Sequence, residues 1–172
     1  KILVPGFRLG WMAGPRELIE KAIIAKQSVD LCAPTFNQMV VAEFIRRGLL
    51  DKQIPRIRDA YRENRDFMLE MMDRYMPKIP GLKWTRPEGG LFLWVTLPDY
   101  MDANTMFLEA VEKQVAYVVG SAFDPDGQDT SSFRVNFSYP SKRDIEEGIK
   151  RLAAVIEERA SEREGVTAPI AP

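Results

Sequence analysis

Apolar and polar residues follow two different periods along the chain, and together these periods predict a mixed α/β fold. Over residues 16–31 and 37–47, apolar side chains recur every three or four positions, which is typical of amphipathic helices. A longer helical pattern covers residues 51–75, where an apolar stripe lies opposite a charged face. Pro77 and Pro80 follow it and end the pattern.

Extended segments are predicted between the helical patterns. Residues 91–97 are almost wholly apolar, which favours a strand buried on both faces. Residues 133–137 alternate instead, so that Arg134 and Asn136 share one face and apolar side chains share the other. Shorter strands are predicted at residues 116–119 and, as a buried strand, at residues 7–13.

Local signals mark where two further helices begin. Asp102 is placed to cap a helix over residues 103–114. Ser141, with Asp144 three residues later, resembles a capping box that opens the last helix. Four methionines of the long helix are predicted to fill the core, because Met adapts to irregular packing: Met68, Met71, Met72 and Met76.

Composition narrows the chemistry. The 24 basic and 25 acidic residues leave a net charge of -1 with no basic stripe, so nucleic acid is not an expected partner. The absence of histidine excludes Ser-His and Cys-His catalysis and imidazole-bound zinc, and we expect no metal. A single cysteine, Cys32, excludes a disulfide, favours a reducing compartment and is predicted to be buried. No apolar run is long enough for a membrane span.

Two arginines are the candidates for chemistry. Arg134 lies in the middle of an apolar strand, where a guanidinium needs a partner. Arg134 is either a structural residue, paired in a salt bridge or exposed on its strand, or it binds a carboxylate ligand by two parallel hydrogen bonds. Arg8 follows Pro5-Gly6 and is either paired within the protein or bound to a phosphate. The pairs Gly89-Gly90 and Gly120-Ser121 either let the backbone approach a ligand closely or form turns, and turns are the prediction. Composition alone assigns no role to Lys1.

Four segments in a fixed order resemble class I and II aminotransferases of fold type I, which depend on pyridoxal phosphate. The similarity covers about the first 160 residues and is greatest to the 2-aminoadipate and aromatic aminotransferase group. KILVPGFRLGWMAGP resembles the stretch that follows the cofactor lysine, and IPRIRDAYRENRDFM resembles the interdomain helix. PEGGLFLWVTLP resembles the Gly-Gly strand of the family. GSAFDPDG with FRVNFSYP resembles the end segment that contains the substrate arginine. Val119-Gly120 departs from the Pro-Gly found there in many members, which affects loop geometry rather than chemistry.

The resemblance implies an α/β fold of type I with two parts. Residues 1–50 would form the C-terminal end of the large cofactor domain, and residues 51–172 the interdomain helix and the small C-terminal domain. It also implies transfer of an amino group between an amino acid and a 2-oxo acid, a homodimer, and a cytoplasmic enzyme. The polypeptide is expected to continue upstream, where the family has its other cofactor-binding residues.

The resemblance assigns roles to three residues. Lys1 would carry pyridoxal 5'-phosphate through a covalent bond and act as the catalytic base. Arg8 would bind the cofactor phosphate, and Arg134 would bind the substrate α-carboxylate.

Three other interpretations remain open at this point. The same residues fit another reaction on this fold, such as that of a β-lyase or a decarboxylase. They also fit the effector-sensing domain of a transcription regulator that binds DNA through a separate winged helix. The third is a module without enzymatic activity.

Overall fold

A computed structural model describes residues 2–167, with side chains described for residues 2–162. The chain divides into two compact units, Lys1–Asp59 and Ala60–Pro172. Their boundary falls inside a single long helix, further along the chain than the predicted boundary at residue 50.

The first unit is mostly helical. A short 3-10 helix at Pro5–Phe7 precedes α1 (Arg16–Val29), α2 (Thr35–Arg46) and the start of α3 (Leu49–Tyr75). Gly48 separates α2 from α3 with a φ of 65°, a left-handed conformation that glycine adopts without strain. Within residues 2–59, no residue is buried. Cys32 is also exposed, so the prediction that it is buried was wrong.

The strand predicted at residues 7–13 is absent, which is a second correction. Phe7 closes the 3-10 helix instead, and the backbone from there to Pro15 is irregular. A strand needs a neighbour for its backbone hydrogen bonds. Every strand pair in residues 2–167 lies in the second unit, and Trp11 is 90% exposed. The apolar composition of this segment predicted burial, but burial also requires a partner surface.

The second unit is built on a four-stranded antiparallel sheet. Its strands are β1 (Lys83–Trp84), β2 (Phe92–Thr96), β3 (Val118–Val119) and β4 (Ser132–Asn136), in the order β1-β2-β4-β3. The two longer strands fall within one residue of their predicted positions. The two-residue β1 was not predicted, because two residues are too few to show a period.

Helices α4 (Ala103–Glu112) and α5 (Lys142–Thr167) complete this unit, and both begin where the sequence predicts. The side chain of Asp102 accepts hydrogen bonds from the backbone N–H of Asn104 at 2.7 Å and of Thr105 at 3.0 Å. Ser141 caps α5, because its hydroxyl accepts from the backbone N–H of Asp144 at 3.2 Å. These bonds satisfy amide groups that the first helical turn leaves unpaired.

The two faces of the sheet differ. One face contributes Leu93, Val95, Phe133 and Val135 to a core that also contains the four methionines predicted to fill it. The opposite face carries Phe92, Trp94 and Arg134, all only partly buried. The prediction that β2 is buried on both faces was therefore wrong. Its apolar residues outside the core, Phe92 and Trp94, lie on the same face as Arg134.

Candidate functional site

Arg134 lies at the centre of β4, which is an interior strand of the sheet. Its register partners are Trp94 on β2 and Val118 on β3. Because side chains directly opposite each other project from the same face, Arg134 stands among the partly exposed residues and away from the core. The strict alternation of β4 produces this placement, since Phe133 and Val135 are both buried on the other face.

The guanidinium of Arg134 contacts two aromatic rings. Its Cζ lies 3.7 Å from the centre of the Phe92 ring and 4.4 Å from the centre of the Phe123 ring. Phe123 in turn packs edge to face against Trp94, with ring centres 5.4 Å apart and an angle of 70° between the planes. Cations are attracted to ring faces at these distances, so the rings stabilise the guanidinium without neutralising its charge.

No acid balances this charge within residues 2–162. The side chain of Arg134 forms no ion pair and no hydrogen bond there, and its buried Nε atom lacks an acceptor. The predicted structural salt bridge is therefore absent from the described residues, and the side chain is partly buried rather than exposed on the strand. A buried donor without an acceptor is costly, and the site is suited to an anion that supplies one.

The segment that carries Phe123 is held close to β4. It passes through a 3-10 helix at Gly120–Ala122, and Phe123 follows directly. A Cβ atom on Gly120 would lie 2.7 Å from Asp129 Oδ2 and would also collide with Ser132 Oγ. Any side chain at position 120 would force these side chains or the segment itself to shift, which gives Gly120 a steric role that the predicted turn did not require.

The loop after Phe123 is organised by one carboxylate. Asp124 accepts hydrogen bonds from the backbone N–H groups of Gln128 at 2.6 Å, Asp129 at 3.0 Å and Asp126 at 3.3 Å. The pKa of Asp124 is lowered, chiefly by the bond from Gln128 and then by that from Asp126. Hydrogen bonds to a carboxylate favour its charged form, so the loop is best ordered when Asp124 is ionised.

Arg8 belongs to the first unit and ends the 3-10 helix there. Its backbone is left-handed, with φ 55° and ψ 32°, and its N–H donates to the carbonyl of Pro5 at 3.2 Å. Asn37 on α2 donates a side-chain hydrogen bond to the carbonyl of the preceding Phe7 at 3.2 Å. The left-handed region is uncommon for a residue with a side chain, and such strain is more frequent at functional sites.

The side chain of Arg8 is exposed and forms no hydrogen bond or ion pair within residues 2–162. It is therefore free to bind an anion. Lys1, the third predicted site residue, lies outside the described residues. Arg8 belongs to the first unit and Arg134 to the second.

Sequence reasoning missed the two rings that contact Arg134. Phe92 was assigned to a strand buried on both faces, and Phe123 was given no role. One signal was available for Phe92: β2 has more apolar residues than a strand with one buried face requires, and the surplus faces the arginine. No local signal pointed to Phe123, because its contact depends on how the chain returns to the sheet.

The described part of the chain contains neither a metal-binding cluster nor a membrane-spanning helix. Among residues 2–162, no group of three or more His, Cys, Asp or Glu side chains is placed to hold a metal ion. Over the same stretch, no helix has both the length and the apolar character needed to cross a membrane.

Comparisons with known proteins show similarity to aminotransferases. The chain is 49% identical to aromatic-amino-acid aminotransferase 1 of Thermococcus litoralis, over 92% of this chain and 37% of that protein. The crystal structure of α-aminoadipate aminotransferase from Thermus thermophilus, complexed with N-(5'-phosphopyridoxyl)-L-leucine, matches with a TM-score of 0.84 and 34% identity. That match covers 94% of this chain and 41% of the other.

A third relative is named as a transcriptional regulator rather than an aminotransferase. The chain is 33% identical to an uncharacterized HTH-type transcriptional regulator of Bacillus subtilis strain 168, over 89% of this chain and 31% of that protein. In all three comparisons the chain spans well under half the length of its relative.

These similarities confirm the predicted resemblance to the 2-aminoadipate and aromatic aminotransferase group. They also confirm the α/β fold of type I. The family described as aminotransferase class I and II matches residues 1–152, which is most of the 172-residue sequence, and the chain therefore belongs to that family.

Proposed function

We propose that this protein is a pyridoxal-phosphate-dependent aminotransferase, which moves an amino group from an amino acid to a 2-oxo acid. The observation that carries the proposal is the guanidinium of Arg134, which lies on the partly exposed face of the sheet with no acid to balance it among the described residues. Membership of the aminotransferase family and the pyridoxyl compound bound by the Thermus relative support the cofactor.

Arg8 fits the phosphate of that cofactor. Its side chain is exposed and unpaired within residues 2–162, and a guanidinium is a permanent cation that matches phosphate geometry. Lys1 would hold the cofactor covalently and would move the proton at the substrate α-carbon. The cofactor supplies the electron sink for this chemistry, while the protein supplies binding and orientation.

Arg134 would bind the α-carboxylate of the substrate. Two parallel hydrogen bonds to a carboxylate fix its direction as well as its position. This grip would determine which bond of the α-carbon is aligned for cleavage. It would also explain why no acid of the described chain neutralises Arg134, since an internal partner would compete with the substrate.

The remaining assignments follow from the family resemblance. Residues 1–50 would complete the large cofactor domain, and residues 51–172 would form the interdomain helix and the small domain. We expect a cytoplasmic homodimer that binds neither nucleic acid nor membranes. Light scattering of the intact protein after gel filtration tests the dimer directly.

A half-reaction tests the proposed activity. The intact protein, loaded with pyridoxal phosphate, receives L-tyrosine or L-2-aminoadipate labelled with ¹⁵N, and no 2-oxo acid. We expect one equivalent of the corresponding oxo acid per site, with the label retained on the protein until 2-oxoglutarate removes it as glutamate. Release of carbon dioxide would indicate a decarboxylase, and release of ammonia a β-lyase; either result would overturn the proposal.

A second candidate is an effector-sensing role, and the similarity to the Bacillus regulator favours it. In that case Arg8 and Arg134 would bind cofactor and effector without turnover. Failure to form the oxo acid and to pass the ¹⁵N label to glutamate, together with sequence-specific DNA binding by the intact protein, would select this alternative.

A further inference from the structure

The guanidinium of Arg134 is held by rings rather than by acids. Phe92 reaches it diagonally across the β2–β4 pair, since Phe92 is in register with Asn136 and Trp94 with Arg134. Phe123 reaches it from the segment after β3. An arginine side chain has many rotamers, and ordering them on binding lowers affinity. Contacts that order the side chain beforehand remove part of this cost.

An aromatic ring that contacts Arg134 leaves its N–H donors available to a ligand, whereas an acid does not. A carboxylate partner would order Arg134 but would occupy the N–H donors that a ligand needs. Phe92 and Phe123 contact the π system of the guanidinium and accept none of its conventional hydrogen bonds. The charge and the donors therefore remain free for a ligand, while the side chain is restrained.

We propose that Phe92 and Phe123 are positioning residues, which hold the guanidinium of Arg134 in one orientation for a substrate carboxylate and leave its donors unpaired. This inference rests on the proposed role of Arg134 in carboxylate binding. The two rings contribute differently. Phe92 is fixed within the sheet, whereas Phe123 is 44% exposed and depends on the close passage at Gly120.

The edge-to-face contact between Trp94 and Phe123 continues this arrangement. Trp94, which lies directly opposite Arg134 on β2, restrains the Phe123 ring, and that ring contacts Arg134. Loss of the Phe123 ring therefore removes a restraint from Arg134 without removing a buried core residue. Phe123 is therefore the first position to substitute in a test of positioning, and Phe92→Leu is the second variant.

The test compares Phe123→Leu and Phe123→Tyr in the intact protein loaded with cofactor. The probes are 3-phenylpropionate, an inhibitor with a carboxylate, and 3-phenylpropanamide, its neutral analogue. Phe123→Leu keeps apolar volume but removes the ring, so we expect the inhibition constant of the carboxylate to rise about 3- to 10-fold. The constant for the amide should stay unchanged, and Phe123→Tyr should restore carboxylate binding.

Phe67→Leu provides a matched control. Phe67 also contacts a cation, since Lys142 Nζ lies 5.8 Å from its ring centre, but it is not in contact with Arg134. The same substitution there should leave the inhibition constant of the carboxylate unchanged. Circular dichroism of each variant verifies that the fold is retained, and Phe92→Leu replaces Phe123→Leu if the latter does not fold.

A double-mutant cycle separates this inference from the function on which it rests. If Arg134 binds the carboxylate and the two rings position the Arg134 side chain, then Phe123→Leu should cause no further loss of carboxylate affinity in an Arg134→Ala background. If Arg134→Ala weakens 3-phenylpropionate but Phe123→Leu and Phe92→Leu do not, positioning is overturned and the carboxylate site stands. If Arg134→Ala leaves the inhibition constant unchanged, the proposed carboxylate site itself is wrong.

Discussion

The Cζ atom of Arg134 lies 3.7 Å from the centre of the Phe92 ring, and no acid of the described chain lies in ion-pair contact with it. The two residues are diagonal neighbours on adjacent strands, one cationic and one aromatic. A cation held in this way keeps its capacity to bind an anion. The proposed role of Arg134 leads to the first prediction.

Arg134→Ala should weaken binding of a carboxylate substrate by roughly 2–5 kcal/mol, as when one member of a desolvated charge pair is removed. Arg134→Lys should recover only part of this loss, because an ammonium cannot form two parallel hydrogen bonds to a carboxylate. Single-turnover kinetics of the half-reaction measure both effects. Unchanged kinetics in Arg134→Ala would show that the carboxylate binds elsewhere.

Arg8→Ala should reduce affinity for pyridoxal phosphate more than affinity for phosphate-free pyridoxal. The reason is that Arg8 is predicted to contact only the phosphate, and its side chain has no internal partner to lose within residues 2–162. Equilibrium titration of the apoprotein with each compound gives the two dissociation constants. An equal loss for both compounds would identify Arg8 as a structural residue.

Lys1→Ala should abolish the covalent link to the cofactor. Borohydride treatment of the intact protein should fix pyridoxal phosphate to Lys1, and peptide mass spectrometry should find the adduct there. In Lys1→Ala, no lysine should carry it. An adduct on a different lysine in either protein would contradict the assignment.

The extent to which the fold was predictable differs between segments for physical reasons. β4 was placed within one residue of its position, because alternation of Phe133, Arg134 and Val135 encodes the two faces locally. The caps at Asp102 and Ser141 were also local signals. The segment at residues 7–13 was predicted wrongly, since its apolar residues do not reveal whether a neighbouring strand exists.

The candidate site was predictable in part for the same reason. Arg134 stood out because an arginine in an apolar strand requires an explanation. Phe123 did not stand out, because ten residues of loop and strand separate it from Arg134 and only the folded chain brings its ring to 4.4 Å from Cζ. Contacts of this kind depend on tertiary structure and leave no periodic pattern.

Gly120→Ala should destabilise the protein by about 1–3 kcal/mol, the usual cost of adding a methyl group where no space exists. The new Cβ would approach Asp129 Oδ2 to 2.7 Å. Gly89→Ala is the matched control, since no atom beyond the adjoining residues lies within 4 Å of the position its Cβ would take. Urea unfolding of both variants measures the difference. Equal stability of the two would indicate that the Gly120 segment moves away from β4 without cost.

Acid should loosen the loop that follows Phe123. The folded-state pKa of Asp124 is lowered, so its contribution to stability is present above the unfolded-state pKa and is lost as the pH falls through the folded-state value. Amide hydrogen exchange at Gln128 and Asp129 should therefore accelerate on acidification beyond its intrinsic pH dependence. Asp124→Asn should remove this additional dependence. Its persistence in Asp124→Asn would assign the effect to another group.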